Sequence, residues 1–177
     1  MPLDLKSRQI VVGISISDDS EPHFREDLPI IPAILDTGFN KTFSIHQFFL
    51  EQSAHIAKDY LAVDNPADGS ETTYQDHPYD TCYATLWLHR SPFAPNATRT
   101  PARRPLRLGK SNRIFVFKYK QNQNHRNVNI DDIYPRMPLL GMQALMANKL
   151  RHFVDGERSR FRISRSFRSW LYAEDRS

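Results

Sequence analysis

Cysteine and glycine are scarce in this chain, and long apolar runs are missing. Cys82 is the single cysteine among 177 residues, which excludes an internal disulfide and a zinc site built from cysteines. No run of about 18 apolar residues occurs, so no membrane-spanning helix is predicted. The start of the sequence lacks a basic head followed by an apolar run, so we expect a cytoplasmic protein.

Charge is abundant but unevenly divided. Residues 1–88 carry 14 acidic and 5 basic side chains, whereas residues 89–177 carry 6 acidic and 19 basic ones. The net charge of +4 is therefore the sum of two opposed halves. A basic half of this size favours nucleic-acid binding as one hypothesis, with the arginines near the C-terminus alternating with aromatic side chains.

The apolar pattern predicts one mainly β domain over residues 1–165, followed by a basic tail at 166–177. With 40% apolar residues the chain can form one ordinary core. Most apolar segments are short, alternating and separated by turn residues. We predict strands at 9–17, 33–35, 79–89, 114–117 and 139–141, helices at 44–59 and 142–150, an exposed insertion at 90–107, a turn at 109–112, hairpins near Asp68-Gly69 and Asp155-Gly156, and Ser44 as the cap of the first helix.

One segment combines this pattern with chemistry. The run Ile34-Leu35-Asp36-Thr37-Gly38 places a carboxyl at the end of an apolar strand, with a glycine two residues later. Such a carboxyl can sit on a tight loop that faces a cleft. The tripeptide alone is also compatible with an ordinary turn. About one hundred residues later follows Pro138-Leu139-Leu140-Gly141-Met142, a second apolar segment that ends in glycine.

Together the two segments resemble the retropepsin-like aspartic proteases, in particular their bacterial branch. Asp36 to Thr42 is similar to the family's D-T-G-F form, and Leu139 to Leu145 is similar to its L-L-G-M-D segment, with Gln143 where aspartate is usual. The resemblance covers residues 8–164. It implies a single-domain barrel or half-barrel with a flap hairpin and one or two helices. It also implies that Leu139, Leu140 and Gly141 form a ψ-shaped crossing beside Asp36.

The resemblance further implies a set of site residues and a homodimer. Asp36, Thr37 and Gly38 would be the catalytic loop, with Thr37 bonding across to the partner's loop and Gly38 allowing close approach of the substrate. Phe39 and a flap tip formed by Ala67, Asp68, Gly69 and Ser70 would bind a polypeptide substrate. Because two carboxyls must share one proton and the chain has one D-T-G, two copies would each contribute Asp36.

Other residue types favour no further chemistry. The seven histidines form no pair at metal-ligand spacing, so we predict neither a metal site nor a cofactor. Cys82 lies in a predicted strand and is expected to be a packed thiol. Two alternatives to the endopeptidase stay open: an inactive dimer of the same fold that binds peptides, and a basic protein that binds nucleic acid.

Overall fold

Strands dominate the protein. The computed structural model describes residues 9–18, 23–66, 69–89, 105–155 and 160–164. Strands account for 42% and helices for 15%, so the prediction of a mainly β protein is confirmed. The strands are β1 Val11–Ser17, β2 Ile31–Asp36, β3 Phe43–His46, β4 Ala62–Val63, β5 Thr72–Tyr74, β6 His77–His89, β7 Leu106–Phe117, β8 Leu139–Gly141, β9 Arg151–Asp155 and β10 Arg160–Ser164; the helices are α1 Gln47–Gln52 and α2 Met142–Ala147, with 3₁₀ turns at Lys58–Tyr60 and Ile130–Asp132.

Six strands form a closed circuit of mixed pairings. Strand β1 pairs antiparallel with β2, which runs parallel to β8. Strand β8 is antiparallel to β3, and β3 is parallel to β7. Strands β7 and β6 are antiparallel, and β6 returns to β1. The interior is filled by fully buried apolar side chains, among them Ile14, Ile16, Phe43, Ile45, Leu86, Ile114, Val116 and Leu140.

Strand β6 is the longest element and organises the rest of the sheet. One of its edges pairs with β7 along most of its length. The other edge pairs in turn with β5, β4 and β1. The connection between β5 and β6 is the two-residue turn Gln75-Asp76, with φ angles of 49° and 62°. Positive φ at both positions matches the right-handed twist of a tight hairpin.

The hairpin predicted at Asp68-Gly69 is wrong. Gly69 has a φ of 71°, and its amide donates to the carbonyl of Pro66, so a turn is present. However, the flanking strands β4 and β5 both pair with β6 rather than with each other. Ala67 and Asp68 lie outside the described residues. The tight hairpin is the one between β5 and β6 because both strands there share consecutive pairs up to Tyr74 and His77.

Two boundaries of the predicted loop and turn regions also change. Strand β7 begins at Leu106, so the last two positions of the expected insertion at 90–107 belong to a strand. Residues 90–104 lie outside the described part of the chain. The turn expected at 109–112 is instead a bulge within β7, where Gly109 has a φ of 71°. The side-chain amide of Asn112 donates there to the backbone carbonyls of Leu108 and Ala84.

The helix predicted at 44–59 is much shorter than expected. Helix α1 contains six residues, and its N-cap is His46, whose Nδ1 accepts from the amide of Phe48 at 3.0 Å. Ser44 and Ile45 lie in β3, where they pair with β7. The helical spacing of apolar residues thus included residues of β3 as well as residues of α1. Pairing of β3 with its two neighbouring strands favours the extended conformation there over the helix.

The C-terminal part of the described chain forms a separate two-stranded sheet. Strands β9 and β10 are antiparallel, with Asp155 opposite Arg160, which confirms the predicted hairpin in this region. Ile163 packs against the barrel core. The expected basic tail at 166–177 lies outside the described residues. No helix in the described ranges is long and apolar enough to cross a membrane.

Candidate functional site

The Asp36 loop begins where β2 ends. Ile31, Ala33 and Leu35 are buried, while Ile34 and Asp36 alternate with them and are half-buried. Alternation along the strand therefore turns the Asp36 carboxyl away from the barrel interior. Its Oδ1 accepts a hydrogen bond from the Gly38 amide at 2.9 Å, and its carbonyl accepts from the Phe39 amide at 3.2 Å. These bonds fold the chain into a tight turn directly after the carboxyl.

Strand β8 lies against this turn, as expected. Leu139 and Leu140 are opposite Ile34 and Leu35, and Gly141 is opposite Asp36. The two sequence segments, about one hundred residues apart, thus meet at the carboxyl. Their pairing is parallel, so both segments leave the barrel at the same end.

The Asp36 loop and the β8 segment approach each other closely at Gly141. Its amide donates to the carbonyl of Thr42 at 3.0 Å, and the next amide, of Met142, donates to the carbonyl of Phe39 at 3.2 Å. A Cβ at position 141 would lie 2.6 Å from the Phe39 carbonyl and would overlap the carbonyl of Lys41. The loop after Asp36 therefore wraps around a glycine that no larger residue can replace without movement.

The remaining predicted loop residues are less constrained. Thr37 and Gly38 are exposed, and Phe39 is half-buried with its ring against Gly141. A Cβ at position 38 would meet Asp36 Oδ1 at 3.4 Å, which is ordinary contact. Gly69 and Ser70 are exposed in the turn before β5.

An aromatic face, which sequence reasoning missed, lies beside the loop. Its rings are Tyr74, His77, Tyr79, Phe115, Phe117 and Tyr134. Strand β7 supplies Phe115 and Phe117, which alternate with the buried Ile114 and Val116, so the two rings lie on the outer side of the barrel. Lys41 of the Asp36 loop places its Nζ 5.6 Å from the centre of the Phe115 ring. This contact joins the loop to the aromatic face.

The hairpin and the segment before β8 meet on this face. The rings of Tyr74 and Tyr134 stack with centroids 6.1 Å apart, and those of His77 and Tyr134 with centroids 4.7 Å apart. Burial, the neighbouring Tyr74 and the negative charge of Asp36 raise the pKa of the Tyr134 phenol. Tyr134 therefore stays protonated as a hydrogen-bond donor within the field of Asp36.

Two other polar groups resemble catalytic parts but are structural. The Oγ of Ser15 lies 2.8 Å from His89 Nε2, but it donates to the carbonyl of Pro29 at 2.8 Å and is fully buried. Its proton is thus already used, and no substrate can reach it. Burial raises the pKa of the Cys82 thiol to about 11, so the expected packed thiol is confirmed.

The arginine-rich segments behind the nucleic-acid alternative fall outside the described side chains, so that alternative stays a prediction. No model of a known protein family matches the chain, and no curated protein matches it either.

Proposed function

We propose that the protein is an aspartic endopeptidase in which two copies of the chain share one active site. The observation that carries this proposal is the crossing of the Asp36 loop around Gly141. It presents a carboxyl at an accessible chain turn and fixes the backbone on both sides of it. The closed barrel with β8 parallel to β2 is consistent with a retropepsin-like fold.

The chemistry requires a second carboxyl. In the proposed site the two Asp36 side chains face each other across a two-fold axis and share one proton, because neighbouring like charges cannot both ionise. The ionised carboxylate takes a proton from water while the water oxygen forms a bond to the scissile carbonyl carbon. The protonated carboxyl donates to the carbonyl oxygen. The carbon–nitrogen bond then breaks as the carboxyl that took the proton from water gives it to the leaving nitrogen, and the other carboxyl takes its proton back as the carbonyl of the new carboxylic acid forms.

Thr37 and Gly38 keep their proposed roles in this assembly. Both are exposed next to Asp36, where Thr37 can bond to the partner's loop and Gly38 can face the substrate backbone. The flap role moves from residues 67–70 to the hairpin of β5 and β6, which carries part of the aromatic face. A polypeptide would bind between the two hairpins and the paired Asp36 loops.

A mixing experiment tests the shared site. Wild-type protein is first assayed for cleavage of an unfolded polypeptide between pH 3 and 8. It is then equilibrated with a ninefold excess of Asp36→Asn. If each site needs two Asp36 carboxyls, random pairing leaves roughly a tenth of the wild-type chains in wild-type pairs, so cleavage falls about tenfold.

The same excess of Asp59→Asn, which changes an exposed carboxyl on the first 3₁₀ turn, should not lower cleavage. Undiminished activity in the Asp36→Asn mixture, or activity from a protein that sediments as a monomer, would contradict the shared site. Peptide binding without any cleavage by the wild-type protein would favour the inactive binding module.

A further inference from the structure

The contact between the β5–β6 hairpin and the segment before β8 depends on two tyrosines. Tyr74 is the last residue of β5 and immediately precedes the turn Gln75-Asp76. Tyr134 lies five positions before β8. The rings stack at an angle of 30°, and Tyr134 also stacks on His77 of the same hairpin, with ring centroids 4.7 Å apart. We name Tyr74 and Tyr134 the tyrosine pair.

A buried ring supports the pair from below. Phe117 is 4% exposed, and its centroid lies 5.0 Å from that of Tyr134 and 6.5 Å from that of Tyr74. Tyr74 is 49% exposed, whereas Tyr134 is half-buried. The floor of the contact is thus part of the barrel, while Tyr74 forms its outer layer. Separation of the pair would move the hairpin and leave the barrel in place.

The position of the contact connects it to Asp36. Tyr134 lies within the electrostatic field of the Asp36 carboxylate. Lys41 of the same loop contacts Phe115, whose ring is 5.4 Å from that of Tyr79 on β6. An unbroken series of contacts therefore runs from the loop through the aromatic face to the hairpin.

We propose that the tyrosine pair keeps the β5–β6 hairpin closed beside Asp36, and that a polypeptide substrate must separate the pair to bind. This inference rests on the proposed endopeptidase function for its catalytic consequence. Tyr134 acts here as a positioning residue that controls access. When only a fraction of molecules is open, the apparent affinity for substrate falls by that fraction.

The contact is strong enough to control this fraction. Tyr134 stacks on two rings of the hairpin, Tyr74 and His77, and two stacked pairs together shift an equilibrium by about tenfold. Tyr134→Ala removes both contacts, whereas Tyr134→Phe keeps the stacked ring and removes only the hydroxyl. Tyr60, which is 78% exposed on the first 3₁₀ turn, provides the matched control Tyr60→Ala.

Amide hydrogen exchange of residues 72–77 tests the closed hairpin without any substrate. We expect exchange about tenfold faster in Tyr134→Ala, and within about twofold of the wild-type rate in Tyr134→Phe and Tyr60→Ala. Tyr74→Ala removes one of the two rings on which Tyr134 stacks and should give a smaller increase, of about threefold, which covers the case in which Tyr134→Ala does not fold. Unchanged exchange in a folded variant that lacks either ring would overturn the proposal.

Steady-state cleavage tests the consequence for access. We expect Tyr134→Ala to lower KM about tenfold with kcat within twofold of the wild-type value, because its hairpin is already open. A raised KM would instead mean that the rings bind substrate, and it would overturn the gating role. If the wild-type protein cleaves nothing, the proposed function fails, and the exchange measurements alone decide whether the pair keeps the hairpin closed.

Discussion

Two carboxyl groups, Asp36 and Asp80, end up in opposite surroundings on the same barrel. Asp36 is half-buried at the end of β2 and accepts one hydrogen bond, from a backbone amide. Within the described residues it forms no ion pair. Asp80 is 5% exposed on β6, bonds to Lys58 and Asn65, and lies 3.7 Å from the Lys118 ammonium.

The difference separates a group available for chemistry from one committed to structure. Burial alone would raise the pKa of the Asp80 carboxyl, but Lys58, Asn65 and Lys118 outweigh it and lower the pKa. Its charge is therefore permanently neutralised by neighbouring cations. The Asp36 carboxylate lacks such partners in the described residues, which leaves it available for the proton sharing that we propose.

The largest expected effect is on activity. Asp36→Asn removes the only proposed proton acceptor of each subunit, so we expect cleavage to fall at least about a thousandfold. The free energy of unfolding should change by less than about 0.5 kcal/mol, because the loop keeps its amide-to-oxygen bond. Initial rates and denaturant unfolding measure the two effects. A stable variant with normal activity would remove Asp36 from the mechanism.

Asp80→Asn should show the reverse pattern. It leaves the Lys58 ammonium, which is 18% exposed, without its carboxylate, so we expect a loss of about 3 kcal/mol of stability. Cleavage per folded molecule should remain normal. Urea unfolding measures the loss, and the exposed carboxyl variant Asp59→Asn serves as the control. An equal loss of stability in both variants would show that the ion pair of Asp80 with Lys58 does not stabilise the fold.

A pair of glycine variants tests how tightly the Asp36 loop is fixed. Gly141→Ala forces a methyl group against the carbonyls of Lys41 and Phe39, and we expect it to cost about 3 kcal/mol and to displace the loop. Gly38→Ala should cost less than about 1 kcal/mol, because its Cβ meets Asp36 Oδ1 at 3.4 Å. Thermal unfolding compares them. Similar costs at the two positions would argue against the close crossing.

The smallest expected effect concerns acid. Burial lowers the pKa of His46 to about 4, although the Lys118 backbone partly opposes this shift. The unfolded state then binds an extra proton below pH 6.5, so stability is complete above that value and falls by about 2 kcal/mol as the pH approaches 4.5. Because the pKa of the Asp80 carboxyl is lowered in the folded state, its contribution to stability is complete above about pH 4 and is lost only below that value.

This acid dependence can be separated from catalysis. His46→Asn keeps a capping side chain for α1 and should reduce the dependence of stability on pH between 6.5 and 4.5, leaving the part that comes from His89, whose pKa burial also lowers. His125→Asn, at an exposed position, should leave it unchanged. If activity and stability decline together in the wild-type protein but not in His46→Asn, the decline at low pH reflects unfolding. If His46→Asn leaves the pH dependence of stability unchanged, groups other than His46 bind the protons.

The apolar pattern was sufficient to predict the mainly β class. The meeting of Asp36 with Leu139 to Gly141 was implied by the resemblance to the retropepsin-like family, and the pairing of β2 with β8 agrees with it. The sequence was not sufficient for the β5–β6 hairpin because Gln75-Asp76 lacks the glycine typical of such turns. The aromatic face was missed since Phe115 and Phe117 alternate with equally apolar neighbours, and nothing near Tyr134 indicates its ring contacts. The predicted first helix was too long because Ile45 fits the helical spacing as well as the alternation of a strand.

Strand β6 is paired unevenly along its length. Its C-terminal half lies between β1 and β7, and Tyr79 to Tyr83 also pair with β7, so only the turn end of β6 extends with β5 beyond that pairing. Asp80 is the first residue of β6 beyond the pairing with β5, so its ion pair with Lys58 lies where the hairpin joins the barrel. In the proposed opening, only the turn end of the hairpin therefore has to move, and the barrel that supports Asp36 keeps its pairings.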